Sequence, residues 1–147
     1  AGCQLVASCD LAYASQVSKF ATPGVNIGLF CSTPMVALSR VVKNKHSMEM
    51  LLTGDFIDAN KAKSIGLINN YFSEDKLVNE TRTMAVKIAN KSSQTLKIGK
   101  KAFYNQTEMT ISDAYKYTSK IMIENMMNQQ SEEGIAAFLE KRTPNWS

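Results

Sequence analysis

The sequence has few side chains that bind metals or form disulfides. It contains three cysteines, Cys3, Cys9 and Cys31, and a single histidine, His46, among 147 residues. The cysteines are odd in number, widely spaced and without a C-x-x-C pair, so neither a zinc site nor a disulfide framework is expected. We predict free, buried thiols in a protein of an intracellular compartment.

The sequence also lacks long apolar runs and a strong charge. No stretch approaches the roughly 18 apolar residues that a membrane-spanning helix needs. Seventeen basic and 13 acidic residues give a net charge of +4, and the basic residues are not gathered on one face as nucleic-acid binding requires. We therefore expect a folded protein with no transmembrane segment and no nucleic-acid partner, and with a charge that suits a phosphorylated ligand.

Acidic residues are absent from one long segment. There is no Asp or Glu between Asp10 and Glu49. The segment includes residues 20–31, FATPGVNIGLFC, whose proline and glycines predict an irregular loop of the kind that often carries function. General acid–base catalysis needs a titratable group, whereas this loop offers only hydroxyls and a thiol. His46 lies in a charged KNKHS segment and is expected to be a solvated surface residue.

Residues 1–72 have the apolar pattern of a mixed α/β region. Residues 2–9 are small and apolar on every side, which predicts a buried helix. Residues 11–15 indicate a short buried strand, and 67–72 a short strand or an extended exit. Further helices are expected from Thr33-Pro34, near 47–52, and between a capping Asp58 and Gly66. Two strands alone leave their edges unpaired, so we expect partner strands before Ala1 or on another subunit, and hence a part of a larger α/β fold.

Residues 73–147 are predicted to be helical to the end. Apolar residues recur there at helical spacing on four successive helices. We expect these residues to face inward: Leu77, Met84, Val86 and Ile88; Leu96, Ile98 and Phe103; Ile111, Tyr115, Ile121, Met122 and Met126; Ile135, Ala136 and Leu139.

Four strings of the sequence, taken together, indicate a family: AGCQLVASCDLAYAS, FATPGVNIGL, EMLLTGDFIDANKAKSIGLIN and EEGIAAFLEKRTPNW. In order and spacing they resemble the crotonase (enoyl-CoA hydratase/isomerase) superfamily over the whole chain. The resemblance implies the C-terminal half of a crotonase ββα spiral, in residues 1–72, followed by a helical trimerisation region. It also implies a coenzyme A thioester as substrate or ligand, no metal, a homotrimer or hexamer, and a place in mitochondrial fatty acid metabolism.

The same resemblance implies where catalysis would take place. In the superfamily, two backbone N–H groups hold the oxyanion of a thioester enolate, one of them at a helix N-terminus. That donor aligns with Ala1 and the other lies upstream, so this chain alone is expected to lack a complete oxyanion hole. The two hydratase glutamates align with Gln4 and Gly24. Because glutamine exchanges no proton at neutral pH and glycine has no side chain, the standard hydratase carboxylates are expected to be missing.

Both positions leave alternatives open. Gln4 is either an amide that holds a water or the thioester carbonyl, or a buried side chain that the backbone satisfies. Gly24 leaves a space, and in the related dihydroxynaphthoyl-CoA synthases a glycine here admits a bicarbonate that serves as base. The chain is accordingly either a hydratase/isomerase-like enzyme with a base from elsewhere or a catalytically silent acyl-CoA-binding or assembly protein.

Coenzyme A binding is implied at Phe138 and Lys141, which match a Phe-x-x-Lys motif of the superfamily. In that motif the ring packs on the adenine end and the ammonium meets a phosphate, often from a neighbouring subunit. The alternative is a phenylalanine buried in the trimer core beside a solvated lysine. Lys97, Lys100 and Lys101 form another basic cluster, which a solvated helix face explains as well.

Overall fold

The computed structural model describes residues 1–146, and these combine four short strands with eight α-helices. The strands are β1 (Tyr13–Ser15), β2 (Lys19–Phe20), β3 (Ile57–Asp58) and β4 (Asn70–Phe72). The helices are α1 (Gly2–Ser8), α2 (Ser32–Val41), α3 (Asn44–Thr53), α4 (Ala59–Ser64), α5 (Glu74–Ala89), α6 (Ser93–Gln106), α7 (Ile111–Met126) and α8 (Gln129–Leu139). A 3₁₀ helix covers Pro23–Ile27.

The described chain forms two compact units, residues 1–83 and the residues from 84 onward, and the division falls inside α5. The separation that the sequence predicts, between a core part over 1–72 and an oligomerisation region over 73–147, concerns function and stays a prediction.

The strands of the first unit form two separate pairs. β1 is parallel to β4, with Ala14 opposite Tyr71, and β2 is antiparallel to β3, with Phe20 opposite Ile57. The backbone N–H of Asn69 donates to the Ala12 carbonyl at 2.8 Å and extends the parallel pair. The strands predicted at 11–15 and 67–72 are thus confirmed in shortened form. The β2–β3 pair was not predicted, because two residues are too few to show an alternating pattern.

The apolar core of the first unit lies where the helices α1 to α4 meet the strands. Leu38 and Leu51 are 1% exposed, and Ala59 and Ala62 are completely covered. The prediction that α1 is buried on all sides is wrong for its outer face, since Leu5 is 67% exposed. No element within residues 1–146 covers that face.

The four helices predicted after residue 73 are confirmed, and their starts have local physical causes. The side chains of Ser92, Thr110 and Asn128 accept backbone hydrogen bonds at the N-termini of α6, α7 and α8. The predicted burial holds only in part, however: six of the fifteen residues expected to face inward are half-buried and nine are exposed. None of the fifteen residues expected to face inward is fully buried, and Ile111 and Leu139 are 80% and 73% exposed. α6 packs on α7 and α7 on α8, so these contacts cover only one stripe of each helix.

The cysteines and the histidine have the following environments. All three thiols are free; Cys3 and Cys31 are half-buried, whereas Cys9 is exposed, contrary to the prediction. His46 belongs to α3, which begins earlier than predicted, and its Nδ1 lies 3.8 Å from a Glu49 carboxylate oxygen.

Among helices in residues 1–146, none combines the length and apolarity that a membrane span requires.

Candidate functional site

The start of α1 is the position implied for an oxyanion donor. The Ala1 carbonyl accepts from the Leu5 N–H at 3.0 Å and opens the helix. The first N–H groups of a helix have no carbonyl partner in the helix, and the helix dipole favours negative charge there. The first turn of Gly2–Ser8 carries no acidic residue that would compete for those N–H groups.

Gln4 lies in the first turn of α1 and is half-buried. Within residues 1–146 its side-chain amide makes no hydrogen bond; the one contact at this residue is from Ser8 Oγ to the Gln4 backbone carbonyl, at 2.8 Å. No hydrogen bond therefore supports the interpretation of Gln4 as a side-chain amide that the backbone satisfies. The interpretation as a ligand-facing amide stays a prediction.

The loop after β2 is held firmly on the C-terminal end of α3. The buried Thr22 hydroxyl donates to the Met50 carbonyl at 2.9 Å. Gly54, which ends α3 at φ 66°, approaches the loop so closely that a Cβ on it would lie 3.1 Å from the Pro23 Cα. A glycine is needed at position 54 both for the left-handed backbone and for this close approach.

Gly24 is enclosed by its own loop. A Cβ at this residue would lie 2.3 Å from the Leu29 carbonyl oxygen and 2.8 Å from Cys31 Sγ. The Gly24 N–H donates to Cys31 Sγ at 3.3 Å, and the Leu29 N–H donates to the Gly24 carbonyl at 2.9 Å. The expectation that Gly24 leaves a space for a bicarbonate is therefore wrong for this loop, because a carbonyl and a thiol fill the side-chain position.

A groove of about 370 Å³ lies between the start of α1 and the loop. Its lining includes the sequence neighbours of the predicted site residues, namely Gly2 and Cys3 of α1 and Pro23 of the loop. Burial raises the pKa of the Cys3 thiol, which keeps it protonated. Two further lining residues, Lys19 and Phe56, were missed. Both line the groove because β2 pairs with β3, which Phe56 precedes, and the sequence has no clear signal for that pairing.

The C-terminal end of α8 carries the residues implied to bind coenzyme A. Phe138 is 82% exposed within this chain and lines an apolar groove of about 400 Å³ together with Met126, Ile135 and Trp146. Lys141 follows one turn later, is exposed, and has a φ of 55°. Within the chain, then, the Phe138 ring has a free face and the Lys141 ammonium is accessible.

The comparisons with known proteins bear on the whole chain. Enoyl-CoA hydratase domain-containing protein 3, mitochondrial, of Homo sapiens is 51% identical over 147 residues, which are 100% of this chain and 48% of that protein. The same-named protein of Xenopus laevis is 50% identical over 100% of this chain and 50% of its own length. The chain thus spans about half the length of the curated relatives it matches.

Solved structures agree with the sequence comparison. The crystal structure of an enoyl-CoA hydratase of Mycobacterium smegmatis superposes with a TM-score of 0.96 at 48% identity, over 99% of this chain and 56% of that one. The crotonase α/β fold expected from the sequence is confirmed by this likeness. The sequence model described as "Enoyl-CoA hydratase/isomerase" matches residues 1–147, and the chain belongs to the enoyl-CoA hydratase/isomerase family.

Proposed function

We propose that the protein binds acyl-CoA thioesters and does not hydrate them through carboxylates of this chain. The observation that carries this proposal is the enclosure of Gly24, where a side chain would meet the Leu29 carbonyl oxygen at 2.3 Å. The other expected carboxylate position is Gln4, and residues 11–48 contain no Asp or Glu at all. Hydration of an enoyl thioester needs a group that activates water and a group that moves a proton.

The groups to which we assign binding of the thioester do not include an ionisable side chain beside its reacting carbon. The backbone N–H at Ala1, at the start of α1, would donate to the thioester oxygen. The ring of Phe138 would pack on the adenine end and the ammonium of Lys141 would meet a phosphate. The family name itself states action on CoA thioesters, which supports this ligand class.

Location and assembly are also proposals. The relatives at about 50% identity carry "mitochondrial" in their names, which supports a mitochondrial place for this protein; a role in fatty acid metabolism is proposed from the resemblance of the chain to the crotonase superfamily. The exposed apolar side chains of α7 and α8, such as Ile111, Met126 and Leu139, support a homotrimer or hexamer. Apolar patches of this extent on a soluble protein mark interaction surfaces.

The test is an incubation of the protein in heavy water with saturated and 2-enoyl-CoA thioesters, followed by mass spectrometry of the thioesters. We expect no addition of water to any enoyl-CoA, together with measurable binding by titration calorimetry. Hydration at a rate typical of enzymes would contradict the proposal. A protein that bound no thioester at all would contradict it equally.

The same experiment separates two forms of the proposal. Deuterium at Cα of a saturated thioester, without hydration, would indicate enolate chemistry of the isomerase type, in which the backbone donors hold the enolate oxygen and a base from the part of the protein before Ala1 takes the Cα proton. No exchange in any thioester would indicate a catalytically silent acyl-CoA-binding protein. The first turn of α1, which carries no acidic side chain, favours the first form, and the enclosed Gly24 favours the second.

A further inference from the structure

The turn that follows α8 has an unusual residue at its left-handed position. The Arg142 N–H donates to the Ala137 carbonyl at 3.0 Å and the Lys141 N–H to the Phe138 carbonyl at 3.3 Å, which is the Schellman pattern of helix ends. The left-handed residue in this pattern is usually glycine. Here it is Lys141, the one non-glycine residue with a positive φ in residues 1–146.

Arg142, which follows Lys141, forms hydrogen bonds with two glutamates that precede it, Glu133 and Glu140. Its Nη1 and Nη2 donate to the two carboxylate oxygens of Glu133, at 2.5 and 2.9 Å, and its Nε donates to Glu140 at 2.5 Å. Glu133 also accepts from the Asn145 N–H at 2.7 Å. These hydrogen bonds, with that of Arg142 first, lower the pKa of the Glu133 carboxyl to about 2. Glu133 is therefore ionised at any physiological pH, and the bidentate pair is complete.

The segment after the turn is fixed at a second point. The indole Nε1 of Trp146 donates to the Asn90 carbonyl at 2.9 Å. Its ring lies against α8 where Gly134 leaves room, since a Cβ there would approach Trp146 Cη2 to 3.3 Å. The backbone on both sides of Lys141 is consequently held by contacts that do not involve the lysine side chain.

We infer that Arg142 is a positioning residue: by bridging Glu133 and Glu140 it holds Lys141 in the left-handed conformation that presents its ammonium to a phosphate of coenzyme A. The inference rests on the proposed binding of coenzyme A at Phe138 and Lys141. A residue in an unfavourable backbone conformation persists only where its surroundings impose it, and such residues gather at functional positions. A turn with a purely structural role would be better served by glycine.

The first test compares the affinity for coenzyme A, measured by titration calorimetry, in single and double variants of the protein. We expect Lys141→Gln to weaken binding about tenfold and Arg142→Ala about fivefold. Arg142→Ala should have no further effect once Lys141 is already glutamine, because a positioning residue acts through its neighbour. Arg142→Lys keeps the charge but not the paired hydrogen bonds and should recover part of the loss. Lys120→Gln, an exposed lysine on α7, is the control for charge.

A second variant separates the backbone from the side chain. Lys141→Gly should keep or raise the melting temperature, because glycine suits the left-handed position, and yet weaken binding of coenzyme A as much as Lys141→Gln. Binding of pantetheine, which carries no nucleotide, should be the same in all variants. If Arg142→Ala unfolds the protein, Glu133→Gln removes the partner and leaves the arginine, and it should weaken binding in the same direction.

Each failure has a distinct meaning. If Lys141→Gln binds coenzyme A as the unaltered protein does, the proposed site is wrong and the positioning role is wrong with it. If Lys141→Gln binds weakly but Arg142→Ala and Glu133→Gln bind normally, the site stands and the positioning role is overturned. Losses that add in the double variant would show that Arg142 contacts the ligand itself, which also overturns the inference.

Discussion

At the scale of single residues, the decisive feature is the backbone that encloses Gly24. The Leu29 carbonyl oxygen and the Cys31 thiol occupy the place of a side chain at this residue, and the Gly24 N–H is already used by that thiol. Replacement of Gly24 by glutamate would therefore demand a different loop. A glutamate in place of Gln4 would therefore supply only one of the two carboxylates that hydration needs, because the loop does not accept the other at residue 24.

We expect Gly24→Ala to lower the free energy of unfolding by about 1–3 kcal/mol, the usual range for overpacked sites. Gly99→Ala is the matched control. Its Cβ on α6 would meet nothing within 4 Å, and alanine in a helix interior is favoured over glycine by about 1 kcal/mol. Urea unfolding of the two variants should give effects of opposite sign; equal effects would mean that the loop yields easily around residue 24.

The ion pair between Glu133 and Arg142 predicts that the stability of the protein depends on pH. The pKa of Glu133 in the folded chain is about 2, below its ordinary 4.5, so the unfolded chain binds more protons between these values. Its contribution to stability is therefore complete above about pH 4.5 and is lost as the pH falls towards 2. Unfolding measured from pH 5 downward should show a steeper loss in the unaltered protein than in Glu133→Gln. Parallel curves would argue that the pair does not form in solution.

At the scale of elements, periodicity predicts the helices of residues 74–139 well but not which faces are covered. The spacing of Ile111 and Tyr115 shows that one side of α7 is apolar. Whether that side is buried depends on what packs against it, and within this chain Tyr115 stays 73% exposed. The β2–β3 pair, and with it the place of Lys19 and Phe56 in one groove, arises from contacts distant in sequence, which no local pattern encodes. Phe138 and Lys141 were found only through their likeness to a family motif.

The loop over residues 20–31 is anchored by one of its own side chains, the buried hydroxyl of Thr22. We expect Thr22→Val, which removes the hydrogen bond to the Met50 carbonyl, to cost about 1 kcal/mol of stability, because a buried hydrogen bond is lost while the carbonyl keeps the Gly54 N–H as its donor. Thr22→Ser keeps the hydroxyl and should lose less. Thermal unfolding compares the two, and a valine variant as stable as the serine variant would show that this hydrogen bond does not anchor the loop.

At the scale of the whole molecule, the exposed apolar residues of α7 predict self-association. Ile123 is 62% exposed and Met122 61%. We expect Ile123→Glu to reduce the mass in analytical ultracentrifugation from that of a trimer or hexamer towards that of a monomer, since an unpaired charge in an interface is costly. Lys120→Glu, on the same helix, is the control. An unchanged mass in Ile123→Glu would place the interface elsewhere.

The enclosed Gly24 also has an evolutionary consequence. Two of the four glycine codons and both glutamine codons lie one nucleotide from a glutamate codon, so glutamate at residues 4 and 24 can be a short genetic path away. The obstacle to a glutamate at residue 24 is structural. Its side chain would disturb the loop and destabilise the protein, whatever it did for a reaction. A carboxylate at residue 24 is thus easy to encode and hard to accommodate, which favours functions of this protein that need no such group.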